Sequence, residues 1–169
     1  MASAEQRCDM IRLAIEGLPR LCLNTLELER DGPSFSVDSL RQMKAQSSSV
    51  FVLVLGVDAF NGFAGWKSPD EILEMAHLVV CGRPGFRLDS DLYAGHRAET
   101  SAQLGDCEAG LILPLEVDAV DCSSSQLRAE LAQGRVDSQI LPSGVADYID
   151  HHQLYRYRQE QVNYERNTR

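Results

Sequence analysis

The residues with the clearest chemical potential are three consecutive serines that stand directly before an Arg-bearing helical pattern. Ser123 and Gln126 form a capping box, which predicts a helix beginning at this point. The N–H groups of Ser124 and Ser125 would then lie in its first turn. The positive end of the helix dipole and the guanidinium of Arg128 would together attract an anion such as a phosphate. Because capping boxes are common and most bind nothing, the pattern alone favours an ordinary helix cap.

Two apolar runs of strand length are followed by polar groups that could contact a ligand. Asp58 follows Val50–Leu55, where it could accept hydrogen bonds from ribose hydroxyls, although spacing alone favours a turn cap. Arg83 follows His77–Cys81, where a guanidinium suits phosphate or carboxylate but is more often a solvent-facing turn residue. In doubly wound sheets, ligands bind beyond the carboxyl ends of the strands. Both residues are therefore candidates for a binding site.

Trp66 is the only tryptophan, and its indole could stack on a flat heterocycle or fill the core. The elements that position these residues alternate between strand and helix, which predicts an α/β fold with a Rossmann-like parallel sheet and flanking helices. Helices are predicted over Ala4–Glu16, from caps at Ser36 and Ser68, and from Pro142. Strands are predicted over Leu21–Leu28, Val50–Leu55 (covered on both faces), His77–Cys81 and Leu111–Val120, in which Pro114 indicates an edge or a bend. Residues 86–110 are predicted to form a surface connection containing a short helix.

The composition limits the class of partner. The chain has 169 residues, 44% hydrophobic and 24% charged, and a net charge of −9, so no broad basic stripe is available for nucleic acid. A small anion needs only local donors. The five cysteines form no CxxC pair, which indicates neither a zinc site nor a disulfide framework and favours a reducing cytoplasm. Neither a signal peptide nor a membrane-spanning run is expected.

Taken in order, these segments resemble bacterial nicotinate-nucleotide adenylyltransferase, a nucleotidyltransferase. Each segment is moderately specific, whereas the ordered set is strong. The family's DGPSYT-like, GxDxF and ISSTxIR motifs correspond to GPSFS, GVDAF and CSSSQLR of this chain. The matching segments are Met10–Ile15, Leu26–Leu40, Val54–Phe60, Trp66, Ala76–Phe86, Ser123–Arg128 and Leu141–Tyr155.

The resemblance implies specific roles for the candidate residues. It places Ser123, Ser124, Ser125 and Arg128 near the phosphates of ATP. On the nicotinate mononucleotide side it implies that Asp58 lies near ribose, Trp66 stacks on the pyridine and the backbone near Ser36 holds the carboxylate, with Arg83 on the same side. Lys67 departs from the family, in which an aromatic residue or histidine often follows the tryptophan. Cys122 replaces an aliphatic residue, and both changes are expected to tune packing and the nicotinate pocket.

Family members begin with a first strand and a GGxFDPxHxGH segment whose two histidines bind the ATP phosphates, and the 169 residues contain no such segment. No catalytic residue and no protein-held metal are therefore assigned, and the N-terminal strands of the family fold are expected to be missing. The resemblance predicts one nucleotidyltransferase-like domain over residues 1–155 and a charged, disordered tail over 156–169.

The function implied is adenylyl transfer from ATP to nicotinate mononucleotide in NAD biosynthesis, with Mg²⁺ bridging the triphosphate. One alternative is a truncated remnant that binds a nucleotide or a partner protein and transfers little; this is expected if the printed chain is the whole protein. Another is an adenylyltransferase for a different acceptor, which the GPSFS segment and Trp66 disfavour. Neither nucleic acid nor a membrane is expected as a partner, and homo-oligomer formation stays open.

Overall fold

The computed structural model describes residues 2–82, 85, 87–118, 122–135 and 140–155, which belong to two compact units. The sheet unit comprises Glu29–Asp121, and the helical unit combines Met1–Leu28 with Cys122–Arg169. A single domain over residues 1–155 stays a prediction. The tail 156–169, Arg83 and Phe86 lie outside the described residues.

A three-stranded parallel sheet in the order β1-β2-β3 forms the centre of the sheet unit, and its core lies against the sheet. The predicted α/β class with a parallel sheet and flanking helices is confirmed. The strands are β1 (Phe51–Gly56), β2 (Ala76–Cys81) and β3 (Ile112–Leu115). The helices of this unit are α2 (Ser36–Gln46), α3 (Val57–Asn61) and α4 (Pro69–Met75), and α1 (Ala4–Ala14) precedes them in the helical unit.

The expectation that β1 is covered on both faces is wrong. Val52 and Val54 are 45% and 62% exposed, whereas Leu55 is buried and Leu53 packs against the core. Successive side chains of a strand point to opposite faces, so one face of β1 meets the core and the other is exposed. An apolar run therefore identified the strand, but it did not reveal how many faces are covered.

The segment Leu21–Leu28, expected to be a strand, pairs with no strand in the described part of the chain. It leads into a 3-10 helix over Leu26–Glu29. The Asn24 side chain accepts a hydrogen bond from the Leu26 N–H at 2.9 Å. This Asx turn occupies a backbone N–H that would otherwise be available to pair with a neighbouring strand. Leu21 and Leu28 are 57% and 51% exposed, so their side chains do not form the buried face that would stabilise a strand.

The helix starts agree with the sequence except in the detail of their caps. Ser36 is the first helical residue of α2, because Phe35 occupies the N-cap without a side-chain hydrogen bond. Ser68 does precede Pro69 as the N-cap of α4, but it adopts a left-handed conformation (φ 51°, ψ 59°) and makes no side-chain cap bond. Both starts therefore leave first-turn N–H groups without a side-chain cap.

The helical unit contains α1, α5 (Ser124–Ala132) and α6 (Ser143–His151). Leu131, Val145 and Ile149 belong to its buried core. The Tyr148 hydroxyl donates to Asp9 Oδ2 at 3.0 Å and so joins α6 to α1. Burial and this carboxylate raise the pKa of Tyr148.

The connection between β2 and β3 contains two 3-10 helices, Ala94–His96 and Ser101–Gly105, where one short helix was expected. It is less superficial than predicted, because Ala98 is buried and Leu92 and Tyr93 pack against the core. Pro114 lies in β3, which is an edge strand of the sheet, as predicted from the missing N–H of proline.

A buried histidine anchors the end of this connection. His77 in β2 is fully buried, and its Nδ1 accepts a hydrogen bond from the Leu111 N–H at 3.1 Å. Since Nδ1 is an acceptor, Nε2 carries the proton and donates to the Cys107 carbonyl at 3.0 Å. One neutral imidazole thus satisfies two backbone groups just before β3.

We predict that His77→Ala lowers the free energy of unfolding by about 3 kcal/mol, because it removes a fully buried side chain and leaves the Leu111 N–H and the Cys107 carbonyl without this partner. Urea unfolding followed by circular dichroism measures this change. The control is His151→Ala at pH 8, an exposed position where a change within about 0.5 kcal/mol is expected. Equal effects at the two positions would contradict the assigned role of His77.

Candidate functional site

A pocket of about 330 Å³ lies in the sheet unit, between the N-terminus of α2 and the loop before α4. It brings together two residues that the sequence singled out, Ser36 and Trp66. Most of its lining is apolar or aromatic, which suits a flat ring. The lining residues are Ser34, Phe35, Ser36, Gly65, Trp66, Lys67 and Ile72.

Trp66 packs on the core and also lines the pocket, and its stacking on a heterocycle stays a prediction. Its indole meets the fully buried Phe63 edge to face, with ring centroids 5.4 Å apart and planes inclined by 61°. The same indole lines the pocket. Packing on the core therefore fixes the ring, and its position at the pocket leaves it able to contact a ligand.

Ser36 lies at the start of α2, where the pocket meets the positive end of the helix dipole. The Phe35 carbonyl accepts hydrogen bonds from the N–H groups of Asp38 and Ser39, at 3.0 and 3.2 Å. By helical geometry the N–H of Ser36 precedes these bonds and has no acceptor within the helix. The residues that line the pocket therefore include one with a backbone N–H donor at a helix start and one with an indole ring.

A chain of four charges connects α2 to the loop and helix that follow Trp66. Lys67 Nζ lies 2.8 Å from Asp38 Oδ2 and 4.6 Å from the centre of the Phe35 ring. Asp38 Oδ1 also accepts from Arg41 at 2.6 Å. The guanidinium of Arg41 in turn binds both oxygens of Glu71, at 2.6 and 2.5 Å.

These contacts keep both carboxylates ionised into the acid range. The hydrogen bond from Lys67 lowers the pKa of Asp38, with a further contribution from Arg41. The hydrogen bond from Arg41 lowers the pKa of Glu71, and the same pair raises the pKa of Arg41. The same ionic contacts hold the Lys67 side chain at the pocket.

Asp58 lies immediately beyond β1, as the second residue of α3. It is exposed and does not line the pocket around Trp66. A methyl group at Gly56 would lie 2.6 Å from Asp58 Oδ1, so the carboxylate folds back over the end of β1. The companion candidate Arg83 lies outside the described residues, and its role stays a prediction.

The predicted capping box of α5 is present in the helical unit. Ser123 Oγ accepts from the Gln126 N–H at 3.1 Å, and Gln126 Oε1 accepts from the Ser123 N–H at 3.0 Å. Arg128 donates to Ser125 Oγ at 3.3 Å and is exposed. Ser124 is the first residue of the helix and is also exposed. Ser123, Ser124, Ser125 and Arg128 thus lie together at the N-terminal part of α5.

Comparison with known proteins places the chain in a family. The cytidylyltransferase-like family matches residues 1–130. Probable nicotinate-nucleotide adenylyltransferases from Hydrogenovibrio crunogenus and Bordetella petrii are 36% and 38% identical to it, over 91% and 92% of this chain and 75% of each relative. The chain belongs to the nicotinate-nucleotide adenylyltransferase family. It spans about three quarters of the length of these curated relatives.

Solved structures agree on the fold of this adenylyltransferase family. Plasmodium falciparum nicotinic acid mononucleotide adenylyltransferase complexed with APC matches with a TM-score of 0.71 at 18% identity, over 92% of this chain and 77% of that one. The same enzyme complexed with NaAD also matches with a TM-score of 0.71, over 92% of this chain and 75% of that one. The nucleotidyltransferase fold inferred from the sequence motifs is therefore confirmed.

Enzymes of this nucleotidyltransferase family generally use a divalent metal with ATP. Within the parts of the chain that the structure describes, no group of three or more His, Cys, Asp or Glu is arranged to hold a metal ion. No helix in those same parts is long and apolar enough to cross a membrane.

Sequence reasoning identified Trp66 and the start of α2 but missed the ionic chain beside them. Asp38 and Arg41 are three residues apart, so their pairing on one helix face could have been anticipated. The pairing of Lys67 with Asp38 and of Arg41 with Glu71 could not have been anticipated, because the partners are 29 and 30 positions apart in the sequence. The position of Lys67 directly after Trp66 was the one local signal.

We predict that Lys67→Met raises the pKa of Asp38 towards 3.8, its ordinary value, because its first partner is lost. The lowered pKa means that Asp38 contributes stability above its ordinary pKa, and that this contribution is lost as pH falls through the lowered value. In Lys67→Met the loss should begin at higher pH. Carboxyl NMR titration measures the pKa, and acid unfolding measures the stability.

Lys44→Met is the matched control, because Lys44 lies over the Phe51 ring and makes no contact with Asp38 in the structure. It removes the same charge and should leave the Asp38 titration unchanged. An unaltered Asp38 pKa in Lys67→Met would show that the pair does not persist in solution.

Proposed function

We propose that this protein transfers the adenylyl group of ATP to nicotinate mononucleotide, which gives deamido-NAD and pyrophosphate in NAD biosynthesis. The observation that carries the proposal is the pocket lined by Trp66 and by the N-terminus of α2. The chain belongs to the nicotinate-nucleotide adenylyltransferase family, which supports the same reaction. The reaction is an in-line attack of the mononucleotide phosphate on the α-phosphorus of ATP. It needs alignment of two substrates and neutralisation of charge, and no covalent intermediate.

The mononucleotide is proposed to bind in the sheet unit. Trp66 stacks on the pyridine ring, and the backbone N–H at Ser36 donates to the nicotinate carboxylate. Asp58 accepts hydrogen bonds from the ribose hydroxyls, since its exposed carboxylate stands beyond the end of β1. Arg83, which follows β2, contributes positive charge to the same substrate. Each role follows the family motif that the residue matches.

The triphosphate is proposed to bind to the donors at the start of α5. Ser123, Ser124 and Ser125 supply hydroxyl groups, Ser124 and Ser125 also supply backbone N–H groups, and Arg128 supplies a full positive charge. These residues are binding residues, and none is proposed as catalytic. Mg²⁺ enters with ATP as part of the substrate, held by phosphate oxygens more than by protein groups.

The protein is proposed to act in the cytoplasm. The five cysteines are odd in number and form no CxxC pair, a pattern that favours a reducing compartment over a disulfide framework. Nucleotide substrates are expected partners, and homo-oligomer formation stays open.

A coupled assay for pyrophosphate, with chromatography for deamido-NAD, tests the proposed reaction. The full chain is incubated with ATP, Mg²⁺ and either nicotinate mononucleotide, nicotinamide mononucleotide or another phosphate acceptor. Product with nicotinate mononucleotide at the highest kcat/KM is expected. Preference for a different acceptor would contradict the proposed substrate, and binding of both nucleotides without product would support the non-catalytic alternative.

We predict that Arg128→Ala raises the KM for ATP about tenfold, the cost of one charge-assisted hydrogen bond, and changes that for nicotinate mononucleotide much less. Arg135→Ala is the matched control, because this exposed arginine follows α5 and contacts Gln133. Steady-state kinetics or, without turnover, calorimetric titration with ATP provides the measurement. Equal losses for both substrates would remove Arg128 from the triphosphate site.

A further inference from the structure

Among the described residues that line the pocket around Trp66, Lys67 alone carries a charge. Its side chain is 44% exposed, and its ammonium lies over the face of Phe35. The rest of the lining is aromatic, aliphatic, glycine or serine. A pocket of this composition offers a flat surface with one cation at its side, which suits a planar aromatic anion better than a neutral ring.

The carboxylate that holds Lys67 does not use up its capacity to bind a ligand. An ammonium has three N–H donors, and Asp38 Oδ2 accepts one of them at 2.8 Å. Asp38 is itself shared with Arg41, which binds its other oxygen. The ionic chain therefore ends at the pocket with a cation, while its acidic end, Glu71, is not part of the lining.

We infer that the Lys67 side chain pairs with the carboxylate of the aromatic ring stacked on Trp66 and selects nicotinate over nicotinamide mononucleotide. The inference rests on the proposed function for the identity of the substrate. Lys67 acts beside the backbone donor at Ser36, so the carboxylate receives hydrogen bonds from a helix N-terminus and from an ammonium. Asp38 is a positioning residue that holds the ammonium at the side of the pocket.

The selectivity follows from the difference between the two substituents. A carboxylate is charged and accepts at both oxygens, whereas a carboxamide is neutral and presents an NH₂ group that only donates. Both Lys67 and the helix N-terminus are donors, so they pair with a carboxylate oxygen and not with the NH₂ group of a carboxamide. A charge-assisted bond is about twice as strong as a neutral one, and an advantage of about tenfold is expected.

Fluorescence of Trp66 provides a direct binding assay, because it is the only tryptophan in the chain. The full chain and the variants Lys67→Met and Lys67→Arg are titrated with nicotinate mononucleotide and with nicotinamide mononucleotide. The wild-type protein should bind the nicotinate form about tenfold more tightly. Lys67→Met should reduce this preference to within about twofold, and Lys67→Arg should retain most of it.

Two further measurements separate recognition from a structural role. Lys44→Met removes the only other lysine, which lies outside the pocket lining, and should leave the preference unchanged. Because Lys67 is partly exposed, raising the salt concentration should weaken binding of the nicotinate form to wild type more than binding of the nicotinamide form, since the two ligands share the phosphate and differ in the carboxylate. This test needs no variant, so it applies even if Lys67→Met folds poorly.

The outcomes distinguish this inference from the proposed function. Equal weakening of both ligands by Lys67→Met, or a preference that survives it, would overturn the role of Lys67. Turnover of nicotinate mononucleotide with no dependence on Lys67 would leave the proposed function standing and reject the inference. A carboxylate preference that is lost in Lys67→Met, in a protein that forms no product, would reject adenylyl transfer and support the inference.

Discussion

The parallel pairing of β1 with β2 determines where the other features of the sheet unit can lie. Its register runs from Phe51 opposite Ala76 to Gly56 opposite Cys81, so residues 57–75 must return the chain from one end of the sheet to the other. Parallel strands need such a crossover. Within it, Phe60, Phe63 and Ile72 are fully buried. Their burial fixes the loop that carries Trp66 and Lys67, and thereby the pocket against α2.

The charge distribution shows why net charge is a weak guide to ligand binding. The chain carries a net charge of −9, yet the pocket presents Lys67 and the start of α5 presents Arg128. A small anion responds to donors within a few ångströms, while more distant charges are screened by salt. The ionic chain from Lys67 to Glu71 is exposed, so its value for stability is modest. Its larger effect is to hold an ammonium in one place.

Both proposed binding groups use the start of a helix, but they reach it by different local chemistry. At α5 the Ser123 side chain and Gln126 form a complete capping box. At α2 the N-cap is Phe35, which has no polar side chain. Its ring lies under Lys67 and lines the pocket. The site thus gains an aromatic surface at a position where a serine would have stabilised the helix.

The sequence by itself determined the features that depend on neighbouring residues. The capping box of α5, Pro69 at the start of α4, the strands β1 and β2 and the edge position of β3 were all predicted, because caps, proline and β-branched runs act within a few residues. The ordered motifs also identified the family. Only the tertiary structure decided the exposure of Val52 and Val54, the failure of Leu21–Leu28 to form a strand, and the contact of Lys67 with Asp38. These outcomes depend on which surfaces meet across long stretches of chain, and no local pattern specifies that.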